Sequence, residues 1–495
     1  MTAQPTTANL LFKAADPAFT VPVGLLIGGK QTDASDGARF AVLDPATGEE
    51  IASVASATPQ DASRAVGAAA AAMPAWAAAA PRHRAEVLRR AFDLMTARAE
   101  DFARLISTEN GKALADARAE VAYAAEFLRW YAEEAVRVAG TLQVAPAGTG
   151  RILVTRQPVG VAVLVTPWNF PAAMITRKIG PALAAGCAVV VKPASDTPLT
   201  ALALAALLAE AGVPDGVVNV VPSRRSGPVV SAMLAEPAVR KLSFTGSTEV
   251  GRALLAQAGE RVLNCSMELG GNAPFLVLAG ADLDEAVAGA MIAKMRNGGE
   301  ACTAANRFYV HSSVADEFSA RLTEAMGGLR IGPGTEEATQ LGPLINSAAV
   351  QTVSGLVADA AAKGAQVLTG GYSLQRPGFF YAPTVLDRVP AEAGILREEI
   401  FGPVAPVVRF DDTADAVAMA NDTEYGLVSY VYAGDLAEGL RVSERLESGM
   451  VGLNRAVVSD PAAPFGGVKE SGLGREGGHE GLLEYTEAKY VATQW

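Results

Sequence analysis

Three short segments carry side chains suited to chemistry at an electrophilic carbon. The first, Asn297-Gly298-Gly299-Glu300-Ala301-Cys302-Thr303, follows an apolar, helix-like stretch (286–295) and sets one cysteine among small residues that a substrate can approach. A thiolate is the strongest nucleophile among side chains. On this stretch alone, a small buried structural thiol is an equal reading. The second, Thr166-Pro167-Trp168-Asn169-Phe170-Pro171, ends an apolar run and offers an amide. The third, Met267-Glu268-Leu269-Gly270-Gly271-Asn272, ends another and offers a carboxylate. A nucleophile, an oxyanion donor and a base are the minimum set for acyl chemistry.

The elements that must position these groups follow from the hydrophobic pattern. Apolar strands at 159–165, 188–191, 217–221 and 241–244 alternate with helical stretches at 175–185 and 199–211, one opening at Ser226 as a cap, and one from Ser247. That alternation predicts a doubly wound parallel sheet, which binds ligands at the carboxyl ends of its strands. Lys192, Ser195, Ser223 and Gly246 fall just past those ends. The Gly-x-Gly-x-x-Gly dinucleotide fingerprint is absent. A second α/β set follows Gly271, with strands at 273–278, 307–310, 380–386, 404–410 and 426–431 and helices at 283–295 and 314–326. Turn signals at 28–30 and 44–49 predict small antiparallel strands near the start. Residues 58–140 read as helical, with Pro74 and Pro81 breaking an alanine-rich run and one long helix over 121–138 carrying Tyr123, Phe127, Trp130 and Tyr131. Strands are expected at 151–157 and 485–491, and Cys187 and Cys265 read as core residues.

The chain of 495 residues has room for two or three domains. Its net charge of −12 argues against a nucleic-acid surface. Three cysteines form no even framework, which points to a reducing, cytoplasmic setting. Three scattered histidines lack ligand spacing, so no metal site is expected. The first twenty residues read as a flexible tail, not a signal peptide, and no stretch reads as a membrane span.

Together with Phe244-Thr245-Gly246-Ser247, Glu399-Ile400-Phe401-Gly402-Pro403 and Pro464-Phe465-Gly466-Gly467, the three reactive segments resemble the aldehyde dehydrogenase superfamily, from about Ile27 to the C-terminus. Within it, Ile175-Thr176-Arg177-Lys178 and Lys294-Met295-Arg296-Asn297 most resemble succinate-semialdehyde dehydrogenases. The resemblance implies an α/β fold: a doubly wound parallel-sheet cofactor domain (1–134 and 155–266), a second α/β catalytic domain (267–464), and a small β oligomerisation arm with the C-terminal segment (135–154 and 465–495). It implies that Cys302 attacks the aldehyde to form a thiohemiacetal and then a thioester, that Asn169 stabilises the oxyanion, and that Glu268 activates water to release the acid. Glu268 speaks against an acyl transfer to coenzyme A, because acylating relatives generally lack it.

By the same resemblance, the cofactor lies against Thr166, Pro167, Trp168, Lys192, Ser195, Arg225, Phe244, Gly246, Ser247, Leu269, Glu399 and Phe401. The pyrophosphate sits near the Gly246-Ser247 helix start, where unpaired N–H groups suit an anion. Ser195 stands where NAD-preferring relatives often carry a glutamate, and Arg224 and Arg225 follow the next strand, so NADP is favoured over NAD. Arg177, Arg296 and Ser459, with Phe465, match positions that hold the substrate carboxylate, for which a guanidinium pair is suited. A structural charge is the competing reading of each arginine. The expected partner is a small semialdehyde, with glutarate semialdehyde or a general aliphatic aldehyde as alternatives, and the expected assembly is a homodimer or homotetramer. A non-catalytic relative is the alternative of a different class, against which Cys302, Asn169 and Glu268 all stand. Ala304 replaces a second cysteine present in many succinate-semialdehyde dehydrogenases, so the local disulfide switch is not expected. Glu300 replaces a common glutamine.

Overall fold

A computed structural model describes residues 19–494. The tail expected over the first twenty residues lies outside these but for its last two. Two mainly parallel sheets and one antiparallel ribbon account for most strands. The first sheet runs in the order Gly472–Leu473, Asn264–Glu268, Val239–Thr245, Val161–Val165, Val189–Lys192, Val218–Val220, Leu25–Ile27, Lys30–Thr32. Its central strands are parallel, with Val165 opposite Lys192, Phe244 opposite Val165 and Thr245 opposite Glu268. That register brings the segments beginning at Thr166, Pro193, Gly246 and Leu269 to one edge, which is where doubly wound sheets take ligands. The central strands are buried, as β–α–β crossovers require.

The second sheet runs Gln366–Thr369, Thr384–Asp387, Val404–Phe410, Ala305–His311, Ala273–Val277, Val428–Tyr432, Met450–Leu453. All its pairings are parallel except that of Gln366–Thr369 with Thr384–Asp387. Ala273 pairs with Ala305, so Gly271 and Cys302 both sit just before the amino ends of adjacent strands. The chain leaves the carboxyl end of one sheet at Glu268 and enters the amino end of the other at Ala273. The reactive segments gather at that junction. The ribbon is antiparallel, in the order Thr486–Thr493, Arg151–Pro158, Thr141–Val144.

Some boundaries differ from the sequence reading. The helix Pro59–Ala78 runs through Pro74, where a break is predicted. Proline removes one backbone hydrogen bond, but the buried face of Ala62, Ala65, Val66, Ala69 and Trp76 continues across it, and packing prevails. The helix expected over 121–138 spans Leu114–Glu134. Ser226 is the first residue of the helix Ser226–Ala235, not its cap; Arg225 holds that position with no capping side chain. Cys187 is fully buried, as expected, whereas Cys265 is only partly so. The helices Ser347–Ala362, Thr413–Asn421 and Leu436–Arg445 are not among the expected elements, although Asn346, Asp412 and Asp435 each cap the helix that follows.

The helix Ala173–Ala185 has no exposed face: all of its residues are buried, Arg177 and Lys178 included. A helix buried all round is ordinarily apolar, so these two cations need partners from elsewhere in the chain.

At the junction, a Cβ on residue 271 would stand 2.4 Å from the Cys302 carbonyl oxygen. Gly271→Ala should therefore push the nucleophile segment aside. The expected result is a kcat loss of about a hundredfold, as an ångström-scale misplacement commonly gives, with a modest fall in melting temperature. Unchanged kcat in steady-state assays would show that the segment tolerates the shift.

Candidate functional site

Cys302 borders a cavity of about 240 Å³. Of the residues predicted to contact cofactor, Pro167, Trp168, Gly246, Ser247, Leu269, Glu399 and Phe401 line it, together with Asn169. Met174, Thr245 and Gly270 also line it and were missed, although Thr245 and Gly270 lie within quoted motifs. Trp168 and Phe401 meet edge to face at 5.5 Å between ring centroids. Phe244 is buried in its strand, and its ring underlies Gly246. Thr166 is buried, its N–H donating to the Lys192 carbonyl at 3.2 Å.

Farther along the same sheet edge, Lys192 is buried and its ammonium donates to Ser226 Oγ. Burial brings its pKa down to about 8 against the pull of Asp196. Arg224, not Arg225, sends its guanidinium toward Ser195, with Nη1 at 3.5 Å from Oγ. Arg225 contributes its backbone N–H to Ser223 Oγ.

The segment that carries Cys302 is held by several independent contacts. Asn297 adopts φ 53°, in the left-handed region that asparagine tolerates better than most residues. Its Nδ2 donates to the carbonyls of Asn169 and Glu300. Glu300 Oε1 accepts from Ile345 N–H at 3.0 Å. Tyr430 Oη donates to the Thr303 carbonyl at 2.8 Å. Burial pushes the Cys302 thiol up to about 12, with Arg177 opposing and Glu399 and Glu268 adding to the rise. The resting side chain is therefore a neutral thiol.

Asn169 is fixed on both sides. Its Nδ2 donates one hydrogen to the Glu300 carbonyl at 3.0 Å, which leaves the second hydrogen of the amide free. Its backbone carbonyl accepts from Lys112 Nζ at 2.6 Å. Lys112 in turn pairs with Glu120 at 2.6 Å, both side chains wholly buried, and lies 4.1 Å from the Phe170 ring centroid. The other oxygen of Glu120 accepts from the N–H groups of Ala172 and Ala173, at the start of the helix Ala173–Ala185. No sequence motif exposes this chain of contacts, although Lys112 and Glu120 are eight residues apart.

Glu268 is buried, and its Oε2 has no hydrogen-bond partner. Burial and the neighbouring Glu476 raise its pKa well above the usual carboxylate range, against Arg177, Lys178 and Arg475. Glu476 answers the cations of the buried helix: its two oxygens accept from Arg177 Nε and Lys178 Nζ. Burial alone would raise its pKa, but those two charges bring it below the ordinary value. Arg177 is thus no free cation, yet its Nη2 is buried without a partner, and its Cζ stands 4.1 Å from the Phe465 ring centroid. Arg296 lies over Phe170 at 4.9 Å and near Tyr123 at 5.9 Å, and forms no ion pair with any described residue. Arg177, Arg296 and Ser459 do not line the cavity; they gather about Tyr123. Among the described residues, no group of three or more His, Cys, Asp or Glu side chains is placed to hold a metal, and no helix is long and apolar enough to cross a membrane.

The Lys112–Glu120 pair is open to a double-mutant cycle. Lys112→Met alone leaves a buried carboxylate unpaired and should cost about 3–5 kcal/mol in denaturant melts. Adding Glu120→Leu should recover part of that stability but not all of the turnover, because the Asn169 carbonyl keeps only its bond from Asn297. Additive stability losses would mean that the two side chains act separately.

Residues 32–491 match the aldehyde dehydrogenase family. A succinate-semialdehyde dehydrogenase from Paenarthrobacter nicotinovorans is 56% identical over 441 residues, covering 89% of this chain and 98% of that protein. A glutarate-semialdehyde dehydrogenase from Pseudomonas aeruginosa is 51% identical over 465 residues, covering 94% and 96%. A crystal structure described as an Escherichia coli NADP dependent enzyme superposes with a TM-score of 0.96 at 48% identity, covering 98% of this chain and all of that one. Reactive segments that converge at one junction, the sheet topology and these likenesses all agree: the chain belongs to the aldehyde dehydrogenase family.

Proposed function

We propose that this enzyme oxidises a short aldehyde carrying a terminal carboxylate, succinate semialdehyde foremost, to the dicarboxylic acid, with NADP favoured over NAD. The observation that carries the substrate reading is the gathering of Arg177 and Arg296 about one site, with the charge of Arg177 also reaching Cys302. The relative from Paenarthrobacter supports the same choice. Glutarate semialdehyde is the second reading, favoured by the Pseudomonas relative. One methylene separates the two, worth about 1–3 kcal/mol in a pocket.

In this reading Cys302 gives up its thiol proton to solvent as Sγ bonds to the aldehyde carbon, and the carbonyl electron pair moves onto the oxygen. The free hydrogen of Asn169 Nδ2 is donated to the oxygen that becomes negative. Glu268 takes a proton from the water that releases the acid. A bound nicotinamide supplies the acceptor for the substrate's hydride.

The cavity fits such a cofactor. It opens at the start of the helix Thr248–Gly259, capped by Ser247, where N–H groups favour a diphosphate. Thr245 Oγ1 is buried there without a partner. A Cβ on Gly246 would meet the Phe244 ring at 2.5 Å, so glycine is what lets the turn before this helix close over that ring. Lys192 and Glu399 would hold the two riboses, and Trp168 and Phe401 would bound the nicotinamide. Ser195 leaves space for a 2′-phosphate. Asp196 lies beside it at 3.4 Å, and the Arg224 guanidinium offsets that charge. The NADP dependence stated for the Escherichia coli structure points the same way.

We also take residues 1–134 with 155–266 as the cofactor unit, 267–464 as the catalytic unit, and 135–154 with 465–495 as an arm that pairs subunits into a dimer or tetramer. Leu142, Val144 and Tyr490 support the arm, each being more than half exposed on the antiparallel ribbon. Three unbridged cysteines suit a cytoplasmic setting.

Initial rates with succinate semialdehyde, glutarate semialdehyde and butanal, each with NADP and NAD, test the substrate and cofactor readings together. The acids with NADP should be strongly preferred, and Arg296→Ala should raise KM for the acids far more than for butanal. A preference for butanal returns both arginines to structural roles. The raised pKa of Glu268 sets the sign of the pH dependence: protonated, it is no base, so steady-state kcat should climb as pH rises beyond the ordinary carboxylate range. Glu268→Gln should flatten that climb and lower kcat by about 10²–10⁴, while leaving a first-turnover burst of reduced cofactor. An unchanged profile would remove Glu268 from the hydrolytic step.

A further inference from the structure

We propose that Tyr123 is a specificity-determining residue for the substrate's acid group, its hydroxyl donating a hydrogen bond to the carboxylate that Arg177 and Arg296 attract. The inference rests on the reading that the substrate bears a carboxylate, and adds a residue from a separate element, the helix Leu114–Glu134.

The argument begins with hydrogen bonds that the protein leaves unmade. Tyr123 Oη and Arg177 Nη2 are both buried, and neither makes a protein hydrogen bond of full geometry, Ser459 being the loose neighbour of Tyr123. Two unpaired polar groups in one neighbourhood call for an explanation, since buried donors are otherwise nearly always satisfied. Both are donors. Arg177 has committed Nε to Glu476, so it cannot present its whole fork to a ligand. A carboxylate offers about four acceptor positions, and a second donor beside Nη2 is needed to use them. Tyr123 supplies it. Arg177, Arg296 and, with the opposite sign, Glu476 are the charges that bear on its hydroxyl, and Ser459 makes only a loose contact with the same oxygen, outside full hydrogen-bond geometry.

The ring is held in place. Phe127, one turn along the helix, meets it edge on at 4.9 Å, and the Arg296 guanidinium lies 5.9 Å from its centroid. Burial keeps the phenol above its usual pKa of 10, so it stays a donor through the working pH range. A site that offers fixed donors rejects an analogue lacking the acceptor, because those donors are then left unpaired.

Tyr123→Phe removes only the hydroxyl. Wild type and variant are compared with succinate semialdehyde and with butanal, and with succinate as a competitive inhibitor. KM for the semialdehyde should rise about tenfold, as for loss of one hydrogen bond to a charged group. Inhibition by succinate should weaken by a similar factor, kcat should hold, and butanal kinetics should not move. Equal shifts for both aldehydes, or none, overturn the assignment. The wild-type measurements separate the two levels: a wild type without preference for the acid defeats the carboxylate reading and Tyr123 with it. A wild type that prefers the acid, with a variant that keeps that preference in full, defeats Tyr123 alone.

Discussion

Two cations on a helix with no solvent-facing side must be answered from within, and Glu476 answers both. Removing one member of such a buried group typically costs several kcal/mol, because the others are left uncompensated. The constraint reaches far along the chain, since Glu476 lies 299 residues after Arg177. It ties the C-terminal segment, which also carries Phe465 beneath the Arg177 guanidinium, to the helix that follows Asn169. It also sets the electrostatics of Glu268, whose proton is held by burial and by the negative charge of Glu476 together.

The second organising feature is the meeting of two sheets end to end. Parallel strands all point the same way, so each sheet gathers its loops at its edges. Here the carboxyl edge of one faces the amino edge of the other at Gly270, Gly271 and Asn272. Glycine at 271 permits an approach to the Cys302 carbonyl that no side chain would allow. Asn169, gripped through its carbonyl by Lys112 and Asn297 and through its amide by Glu300, arrives at the junction with its orientation already set. In the proposed mechanism, a donor fixed in this way needs no reorganisation when charge develops on the substrate.

The reactive groups were legible because chemistry demands particular side chains at loop positions just past strands, and the strand pattern shows where those positions are. Cys302, Asn169, Glu399 and the Gly246-Ser247 turn all lie against one cavity, as the motifs imply. What supports them was not legible. Glu476 and Lys112 stand in no sequence motif that marks them, since their partners are defined by folding rather than by spacing. Pro74 was misjudged because a local rule lost to a buried face that extends past it. Ser226 read as a cap on residue type, while the structure uses its hydroxyl to receive the Lys192 ammonium. Tyr123 looked like one more aromatic on a packed helix, and only its unmet hydroxyl sets it apart.

The elevated pKa of Cys302 also bears on how the protein survives between turnovers. Peroxide attacks the thiolate, not the thiol, and oxidation beyond the sulfenic acid is largely irreversible. A side chain held neutral up to about pH 12 presents little of the vulnerable form. With alanine at 304, there is no thiol two residues away to trap an oxidised sulfur as a disulfide. The burial that keeps the proton on this sulfur thus also works against its oxidation.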